Sequence, residues 1–308
     1  MRKFLLCVVA LLFVLSASAQ ELNVASFNIK CATSHGMGNV KGYNGWDDRK
    51  SLIFDMINFA AFDVFGAQEV RYGQLKDMVE AMPDYDYIGV GRDDGKTKGE
   101  FCPVFYRRGR LKMLDSGTFW LSETPDKASR GWDGMCNRVC SWGYFQDVIT
   151  KSKFYFLNTH LDNKGAEAKT KGSELIVNFI KKHCKGAQVI VTGDFNVYQD
   201  SEWYKIFSQC GLLKDSFDAA RYRFAPSGTF STFTPTRYST NRIDHIFVSN
   251  SVAVESYGVL TFHYWRASDE ENIQGERLPA DIESRTVHLL SDHYPVQVKL
   301  RLKGAKKW

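Results

Sequence analysis

The chain alternates between short apolar runs of strand length and fewer stretches with helical periodicity. Seven runs rich in β-branched and aromatic residues predict strands. These runs are Leu22–Ile29, Val64–Val70, Phe101–Tyr106, Lys153–Leu157, Gln188–Thr192, Ile243–Ser249 and Tyr294–Leu302. Apolar residues at helical spacing predict a helix over Asp47–Ala60 and another along the stripe from Ala168 to Ile180, while Ser201 can cap a third. Many strands with few helices predict an α/β fold in which two packed sheets have helices outside them.

Two long stretches show neither the pattern of a strand nor helical periodicity. Cys31–Trp46 contains four glycines, and His263–Leu290 is polar and charged. Long segments without regular structure inside a compact domain are usually functional loops or disordered insertions. We therefore expect both stretches to lie at the rim of a functional site.

The amino terminus has the layout of a secretory signal peptide. Arg2 and Lys3 precede the apolar run Phe4–Leu15, and the small residues Ser16–Ala19 follow it. This order predicts cleavage before Gln20 and export to the periplasm or the medium. The apolar run is shorter than the roughly 20 residues that a membrane-spanning helix needs, although an uncleaved anchor is the alternative interpretation.

Composition and charge limit the function only mildly. With residues 1–19 as the signal peptide, residues 20–308 are expected to form a single domain with no membrane span, and nothing implies a protein partner. Without Arg2 and Lys3 of the signal peptide, 38 of the 40 basic residues remain against 35 acidic residues. The net charge therefore falls from +5 to +3. This charge is too small to predict a strong electrostatic grip on nucleic acid. Six cysteines remain, and we expect free thiols because a protein of this size needs no disulfides and no Cys/His spacing resembles a zinc site.

Polar residues stand at the ends of six predicted strands. They are Asn28, Glu69, His160, Asp194 with Asn196, Asp244, and Asp292 with His293. Any one of them is equally well explained by ordinary turn chemistry. Six such strand ends in one chain predict a shared cleft, because the strand ends of a sandwich converge on one rim.

The residue types fit metal-assisted hydrolysis of a phosphate ester. The oxygen ligands of Asn28, Glu69 and Asp292 suit Mg²⁺ or Mn²⁺. Such a metal would polarise a phosphoryl oxygen and offset charge on the leaving group. Asp194 can orient and deprotonate an attacking water, and Asn196 can hold that water in line.

The two histidines fit binding of the phosphoryl group. His293 paired with Asp244 would stay oriented and readily charged, so it can bind an anionic phosphoryl oxygen. His160 can do the same from the opposite side. No serine or cysteine has an evident partner that would make it a nucleophile.

These strand-end strings, in this order, resemble the endonuclease/exonuclease/phosphatase superfamily over essentially all of the chain after the signal peptide. The strings are Ser26-Phe27-Asn28, Gln68-Glu69, Asn158-Thr159-His160, Gly193-Asp194-Phe195-Asn196, Arg242-Ile243-Asp244 and Ser291-Asp292-His293. The resemblance implies a four-layer α/β sandwich with Mg²⁺ at one rim. It also implies the division of roles just described, with a metal side, a water-activating pair and phosphate-stabilising histidines.

The superfamily includes deoxyribonucleases, abasic-site endonucleases, sphingomyelinases, inositol polyphosphate phosphatases and polyadenylate-removing exonucleases. Lys30 stands where abasic-site endonucleases carry an acid, and Asn241–Asp244 replaces the string typical of the inositol phosphatases. Gly193–Asn196 followed by Ser201–Tyr204 is similar to the deadenylase-like branch. The motifs do not choose one substrate among these.

A further string resembles a bacterial exported subgroup of the superfamily. It comprises Phe119–Pro125 together with Arg138 and Trp142. Arg138 and Arg49 are candidate phosphate contacts, and each could equally be a structural ion-pair partner. We therefore expect an exported, divalent-metal-dependent phosphodiesterase or phosphatase that hydrolyses its substrate by in-line attack of water. An extracellular nuclease is the alternative, and a non-catalytic binding module on the same fold is a further one.

Overall fold

Two large mixed β-sheets dominate the computed structural model, in which residues 21–32, 44–267 and 285–304 are described. The seven-stranded sheet contains, in spatial order, β10 (Ala220–Phe224), β12 (Ala253–Val259), β15 (Val296–Arg301), β1 (Glu21–Asn28), β2 (Val64–Gln68), β4 (Val104–Arg107) and β3 (Tyr85–Ile88). The six-stranded sheet contains β5 (Leu111–Trp120), β6 (Val139–Asp147), β7 (Lys153–His160), β8 (Gln188–Asp194), β11 (Asp244–Ser249) and β9 (Leu213–Asp215). A separate hairpin pairs β13 (His263–Ala267) with β14 (Arg285–Leu289).

Helices cover the outer faces of the two sheets. They are α1 (Trp46–Ala60), α2 (Tyr72–Ala81), α3 (Ala166–His183) and α4 (Glu202–Ser208), whereas Phe217 and Ala219 of the short α5 (Ser216–Ala219) pack against the cluster between the sheets. Ile53 of α1 and Met78 of α2 share one buried cluster with Phe65 of β2. Ile176 of α3 shares another with Phe247 of β11. The helices α1, α2 and α3 thus each bury an apolar face against one sheet.

A third buried cluster fills the space between the sheets. Val24 and Val298 of the seven-stranded sheet join Phe156, Ile190 and Ile246 of the six-stranded sheet in this cluster, and none of the five is exposed. Burying each of these side chains contributes about 1.5–3 kcal/mol. The order helix, sheet, sheet, helix confirms the predicted four-layer α/β sandwich.

The two sheets are also joined by a buried amide network. Asn158 of β7 donates two hydrogen bonds to the opposite sheet. One goes to the carbonyl oxygen of Ala67 in β2 (2.8 Å), and the other goes to that of Pro103, directly before β4 (2.9 Å). Gln68 of β2 donates to Asn158 Oδ1 at 2.7 Å. These bonds satisfy amides that would be costly to bury without partners. They fix how the carboxyl ends of β2 and β7 meet.

Strand pairing brings the predicted polar strand ends to one rim. In the six-stranded sheet, His160 is paired with Asp194 across the parallel strands β7 and β8, and Asp244 is paired with Asp194 across the antiparallel strands β8 and β11. In the seven-stranded sheet, Asn28 is paired with Gln68, directly before Glu69. Register alone therefore places three of these side chains in a row.

The structure differs from the sequence-based expectation in the long polar stretch His263–Leu290. Its two ends form the antiparallel strands β13 and β14 rather than irregular loop. The mixed polarity of this hairpin hides the alternation that would predict strands. In the other stretch, Trp46 begins α1 instead of ending a loop, and residues 33–43 lie outside the described part.

Three further expectations concern export, membranes and cysteines. The predicted signal peptide lies outside the described residues. Among the described residues, no helix is both long and apolar enough to cross a membrane. Among the described residues, six cysteines are free thiols, namely Cys31, Cys102, Cys136, Cys140, Cys184 and Cys210.

Candidate active site

The predicted site residues surround one cavity of about 520 Å³. Six of the strand-end residues line it directly, namely Glu69, His160, Asp194, Asn196, Asp292 and His293. Asn28 and Asp244 lie directly behind this lining, and each forms a hydrogen bond with a residue that lines the cavity. The residues come from both sheets, so the cavity sits where the ends of the two sheets meet.

Asp194 is the hub of the site. Its Oδ2 accepts a hydrogen bond from Asn28 Nδ2 at 3.0 Å, and it lies 3.4 Å from His160 Nε2 and 3.7 Å from His293 Nε2. Its Oδ1 accepts from the Asn196 backbone N–H at 2.9 Å. Burial raises the pKa of Asp194 to about 7, although the neighbouring His293 opposes this. A carboxylate with a pKa near neutrality is suited to accept a proton from water.

His293 is held in a fixed orientation by Asp244. Its Nδ1 donates to Asp244 Oδ2 at 2.9 Å, and both residues are buried. Burial acts to lower the pKa of His293, but Asp244 and Asp194 outweigh it and raise the pKa to about 10. The imidazole is therefore protonated at neutral pH, and Nε2 can donate to an anion in the cavity.

His160 has the opposite electrostatic character. Burial, reinforced by the positive charge of Arg138, lowers its pKa well below the ordinary value. Its Nδ1 is buried and has no hydrogen-bond partner among the described residues. A neutral imidazole in this position can still donate one hydrogen bond from Nε2 into the cavity.

A group of hard oxygen donors lies on the seven-stranded sheet. Asn28 Nδ2 donates to Glu69 Oε1 at 3.1 Å, and the ammonium of Lys30 lies 3.6 Å from Glu69 Oε2 and 3.1 Å from Asp292 Oδ2. Burial acts to raise the pKa of Glu69, but Lys30 and a backbone N–H hold it below its usual range. Two ionised carboxylates with an amide oxygen are a donor set that fits a hard divalent cation, and Lys30 now provides the positive charge between them.

A second set of donors could also approach a metal ion. One ligand atom each of Asp194, Asp244 and His293 lies within 4.8 Å of the others. Here Nδ1 of His293 already donates to Asp244, and the raised pKa keeps the ring protonated without a free lone pair. A metal ligand must be a neutral imidazole. The oxygen group around Glu69 is therefore the better metal site.

Three residues of this site adopt left-handed backbone conformations that are unfavourable for side chains other than glycine. Their φ angles are +61° for Lys30, +60° for Glu69 and +50° for Asn196. Such conformations persist only where the surrounding structure enforces them, and they cluster at functional sites. The Glu69 carboxylate is held in place by the Cys31 N–H, which donates to Oε2 at 3.1 Å.

The two arginines named as candidate phosphate contacts lie in different environments. Arg138 lines the cavity, and its Nε lies 3.4 Å from Asp162 Oδ2. Arg49 is 1% exposed, and its guanidinium donates to backbone carbonyl oxygens, including those of Ile29 and Leu290. Arg49 thus joins the backbone after β1 to the backbone before the Asp292 segment. Of the two alternatives, this geometry favours a structural role for Arg49 over a phosphate contact.

Several other cavity residues were not singled out by the sequence. They are Lys30, Arg92, Glu100, Asn163, Lys169, Tyr198, Phe230 and Ile243. Arg92 Nη1 donates to Glu100 Oε2 at 2.7 Å, so these two form a neutral pair on the wall. A charged residue in a loop or on a helix carries no periodic signal of its own. Asp162 does not line the cavity but contacts Arg138, and its place after His160 in the same strand-end string is a signal that the sequence offers.

A buried polar network supports the segment that carries Asp244. Asp215 Oδ2 accepts from Arg242 Nη1 at 2.9 Å and from the Tyr204 hydroxyl at 2.8 Å. His245 Nε2 lies 3.1 Å from the Val197 carbonyl oxygen, just after Asn196. His245 Nδ1 lies 3.6 Å from Asp215 Oδ2 without forming a hydrogen bond. The remaining bonds can rigidify the loop after β8 and the start of β11.

Comparison with known proteins places this site in a family. The chain is 43% identical to the mannosyl-6-phosphatase of Bacteroides thetaiotaomicron, over 91% of this chain and 99% of that one, with a TM-score of 0.83. It is 28% identical over 159 residues to an uncharacterized protein of Acanthamoeba polyphaga mimivirus, covering 49% of this chain. It is 23% identical, over 85% of its length, to the Ccr4 3'-5'-exoribonuclease subunit of Debaryomyces hansenii.

The chain spans only 59% and 36% of the lengths of these last two relatives. A model of the endonuclease/exonuclease/phosphatase family matches residues 25–293, from the first strand to the His293 segment. Members of this family are divalent-metal-dependent hydrolases of phosphoester bonds. The chain belongs to the endonuclease/exonuclease/phosphatase family.

Proposed function

We propose that the protein is an exported Mg²⁺-dependent phosphatase that hydrolyses a phosphate monoester of a sugar. The observation that carries the proposal is that the hub Asp194, the charged His293 and the oxygen group around Glu69 meet in one bounded cavity. Its volume of about 520 Å³ lies within the range of small-molecule sites, roughly 300–1,000 Å³. A polymer would instead need an extended groove with stacking and backbone contacts.

The similarity to a mannosyl-6-phosphatase supports a sugar phosphate in particular. That protein is 43% identical over 91% of this chain. The cavity wall also carries polar side chains that suit sugar hydroxyl groups, among them Asn163, Glu100 and Tyr198. Amide, carboxylate and phenol groups can each accept or donate hydrogen bonds to a hydroxyl. Mannose 6-phosphate is therefore the first substrate to examine.

The metal is assigned to Asn28, Glu69 and Asp292. When bound there, Mg²⁺ would polarise a phosphoryl oxygen and stabilise negative charge on the leaving oxygen. Asn28 also donates to Asp194 at 3.0 Å, so it links this group to the water-activating carboxylate. The Lys30 ammonium lies between these two carboxylates, so it would have to move for them to hold the cation.

Water is activated by Asp194 and Asn196. The Asn196 backbone N–H holds Asp194 Oδ1, and its side-chain amide donates to the Leu161 carbonyl oxygen at 3.0 Å. This leaves the Asn196 side-chain oxygen to accept a hydrogen bond from the water, while Asp194 accepts the proton. Holding the nucleophile in line with the scissile bond supplies much of the rate enhancement in phosphoryl transfer.

The phosphoryl group is bound by the two histidines. His293 donates from a protonated ring and offsets charge that develops on the non-bridging oxygens. His160 donates from a neutral ring and positions the same group. Removal of the His293 charge would therefore lower the rate of the chemical step more than the removal of His160.

A nuclease is the alternative, favoured by one observation. Ccr4 of Debaryomyces hansenii matches 85% of this chain, although at 23% identity. Export rests on the sequence of the first 19 residues. Fractionation of cells that express the full chain tests it: export predicts mature protein that begins at Gln20 in the periplasm or medium.

The function is tested by phosphate release from mannose 6-phosphate with Mg²⁺. We expect hydrolysis that chelation by EDTA abolishes and that Asp194→Asn reduces by about 10³-fold or more, since this change removes the base. Asp218→Asn is the matched control and should retain full activity, because Asp218 is exposed and does not line the cavity. If the wild-type protein with Mg²⁺ or Mn²⁺ releases no phosphate from any sugar phosphate, the proposal is wrong.

A further inference from the structure

Arg138 carries a buried hydrogen-bond donor with no partner. The residue is 8% exposed and lines the cavity, and its Nε is engaged by Asp162. Its Nη1 is buried and has no partner among the described residues. An unsatisfied buried donor on a charged group is costly. The arrangement is therefore explained if a ligand in the cavity accepts from Nη1.

Lys169 is a second buried cation on the same wall. It lies in the first turn of α3, is 8% exposed, and its ammonium lies 4.7 Å from the ring centre of Trp203. Within the described part of the chain, no carboxylate oxygen lies within 4.0 Å of it. Burial lowers its pKa, as expected for an ammonium without a close counter-charge. Buried charges are normally paired, so Lys169 also calls for an anionic partner.

The nearest acid cannot supply that partner. Asp162 Oδ1 accepts from the backbone N–H groups of Lys164 and Gly165 at 2.9 and 2.8 Å. Its Oδ2 accepts from the Met135 N–H at 2.9 Å and faces Arg138. Both oxygens are thus committed to holding the loop and Arg138 in place. Asp133, the other acid that acts on Lys169, accepts from the backbone N–H groups of Glu167 and Ala168 instead.

This wall adjoins the reacting group on the side of the six-stranded sheet. Arg138 directly precedes β6, and Cys140 of β6 is paired with Thr159, the neighbour of His160. The positive charge of Arg138 contributes to lowering the pKa of His160. The metal-side residues Asn28 and Glu69 come instead from the other sheet. A phosphoryl group that accepts from His160 inside the cavity would therefore have the metal-side residues on one side and this cationic wall on the other.

We propose that Arg138 and Lys169 form a subsite for the additional unesterified oxygen that a phosphate monoester has and a diester lacks. The inference rests on the proposed phosphatase function and explains how this family fold would select monoesters. A dianionic group gains two charge-assisted hydrogen bonds at the subsite. In a diester that oxygen carries a second substituent, which would displace the contact and leave both cations unpaired.

The subsite is tested by binding of two anions to the full-length protein loaded with Mg²⁺. Isothermal titration of inorganic phosphate and of dimethyl phosphate compares an anion that has the additional oxygen with one that lacks it. We expect Lys169→Met to weaken phosphate binding by about 10- to 100-fold and dimethyl phosphate binding by less than about 3-fold. Lys169→Arg should restore phosphate binding to within a few-fold.

Lys171→Met is the matched control, because Lys171 lies on the same helix but is exposed and paired with Glu174. It should change neither affinity. Equal losses for both anions, or no loss for phosphate, would overturn the subsite. If Lys169→Met does not fold, Lys169→Gln decides by the same comparison.

Turnover separates this inference from the function on which it rests. For p-nitrophenyl phosphate, kcat/KM should fall by about 10- to 100-fold in Lys169→Met, while the value for bis-p-nitrophenyl phosphate stays within about 3-fold. A wild-type protein that hydrolyses only diesters contradicts the proposed function. The two titrations still decide whether the subsite recognises the additional oxygen.

Discussion

His293 Nδ1 donates to Asp244 Oδ2 at 2.9 Å, and neither residue is more than 4% exposed. The pair connects the last strand-end string of the chain to the six-stranded sheet. Because Asp244 keeps the imidazole charged, it determines the pH range in which His293 can bind a phosphoryl oxygen. Two predictions follow from this relationship.

The first concerns the pH dependence of turnover. His293 must be protonated, so kcat/KM should fall as the pH rises toward its pKa of about 10. Asp244→Asn removes the nearest negative charge and so lowers the pKa of His293. We expect the alkaline decrease in kcat/KM to occur at a pH lower by at least about one unit in this variant. The measurement is a pH–rate profile of both proteins with Mg²⁺ at saturation. An unchanged alkaline limb in the variant would rule out the assigned role of His293.

The second concerns stability. The pKa of His293 is raised from 6.5 to about 10 on folding, so its contribution is complete below pH 6.5 and is lost as the pH rises to about 10. In EDTA, the free energy of unfolding should therefore decrease over this window. Urea titrations of the wild type and His293→Gln at several pH values measure it. The variant should show a shallower decrease, and identical slopes would contradict the raised pKa.

Lys30 and a divalent cation should compete for the same carboxylates. The Lys30 ammonium lies 3.1 Å from Asp292 and 3.6 Å from Glu69, in the position that a cation would share. We expect Lys30→Met to tighten Mn²⁺ binding by about tenfold, since it leaves two carboxylates without a counter-charge. Glu69→Gln should weaken binding by at least about tenfold. Electron paramagnetic resonance of free Mn²⁺ measures both, and weaker binding in Lys30→Met would contradict the competition.

The contact between the two sheets leaves no room at Gly66. A Cβ there would lie 2.2 Å from Asn158 Oδ1 and 2.4 Å from Thr192 Oγ1. Gly66→Ala should therefore displace the buried amide network and cost about 2–4 kcal/mol of unfolding free energy. Gly73→Ala is the control, because nothing lies within 4 Å of its Cβ and the residue is helical. Thermal unfolding compares the two, and equal stability would exclude the proposed packing constraint.

The sequence was sufficient to predict the four layers and the strand-end residues. Strands such as β7 and β8 are almost wholly buried, so their apolar runs end abruptly at His160 and Asp194. Parallel pairing then aligns these two ends without further information. A sequence pattern can therefore reveal those site residues whose positions follow from strand register and burial.

The remaining features depend on contacts between distant segments. Lys169 is a lysine on a helical stripe, where solvent exposure is the ordinary expectation, and only its packing against Trp203 buries it. The sequence does not distinguish the roles of Arg49 and Arg138. The structure does, because Arg49 contacts backbone carbonyl oxygens whereas Arg138 contacts Asp162. The exposed edge strand β10 lacks a buried face, so no alternation predicted it.

The central claim is best tested by the ratio of kcat/KM for mannose 6-phosphate to that for an oligoadenylate, measured on the wild-type protein with Mg²⁺. A small cavity in which two buried cations face the phosphoryl group should favour the small monoester, and we expect a ratio of about 10² or more. A ratio below one would contradict the account and assign the site to nucleic acid instead.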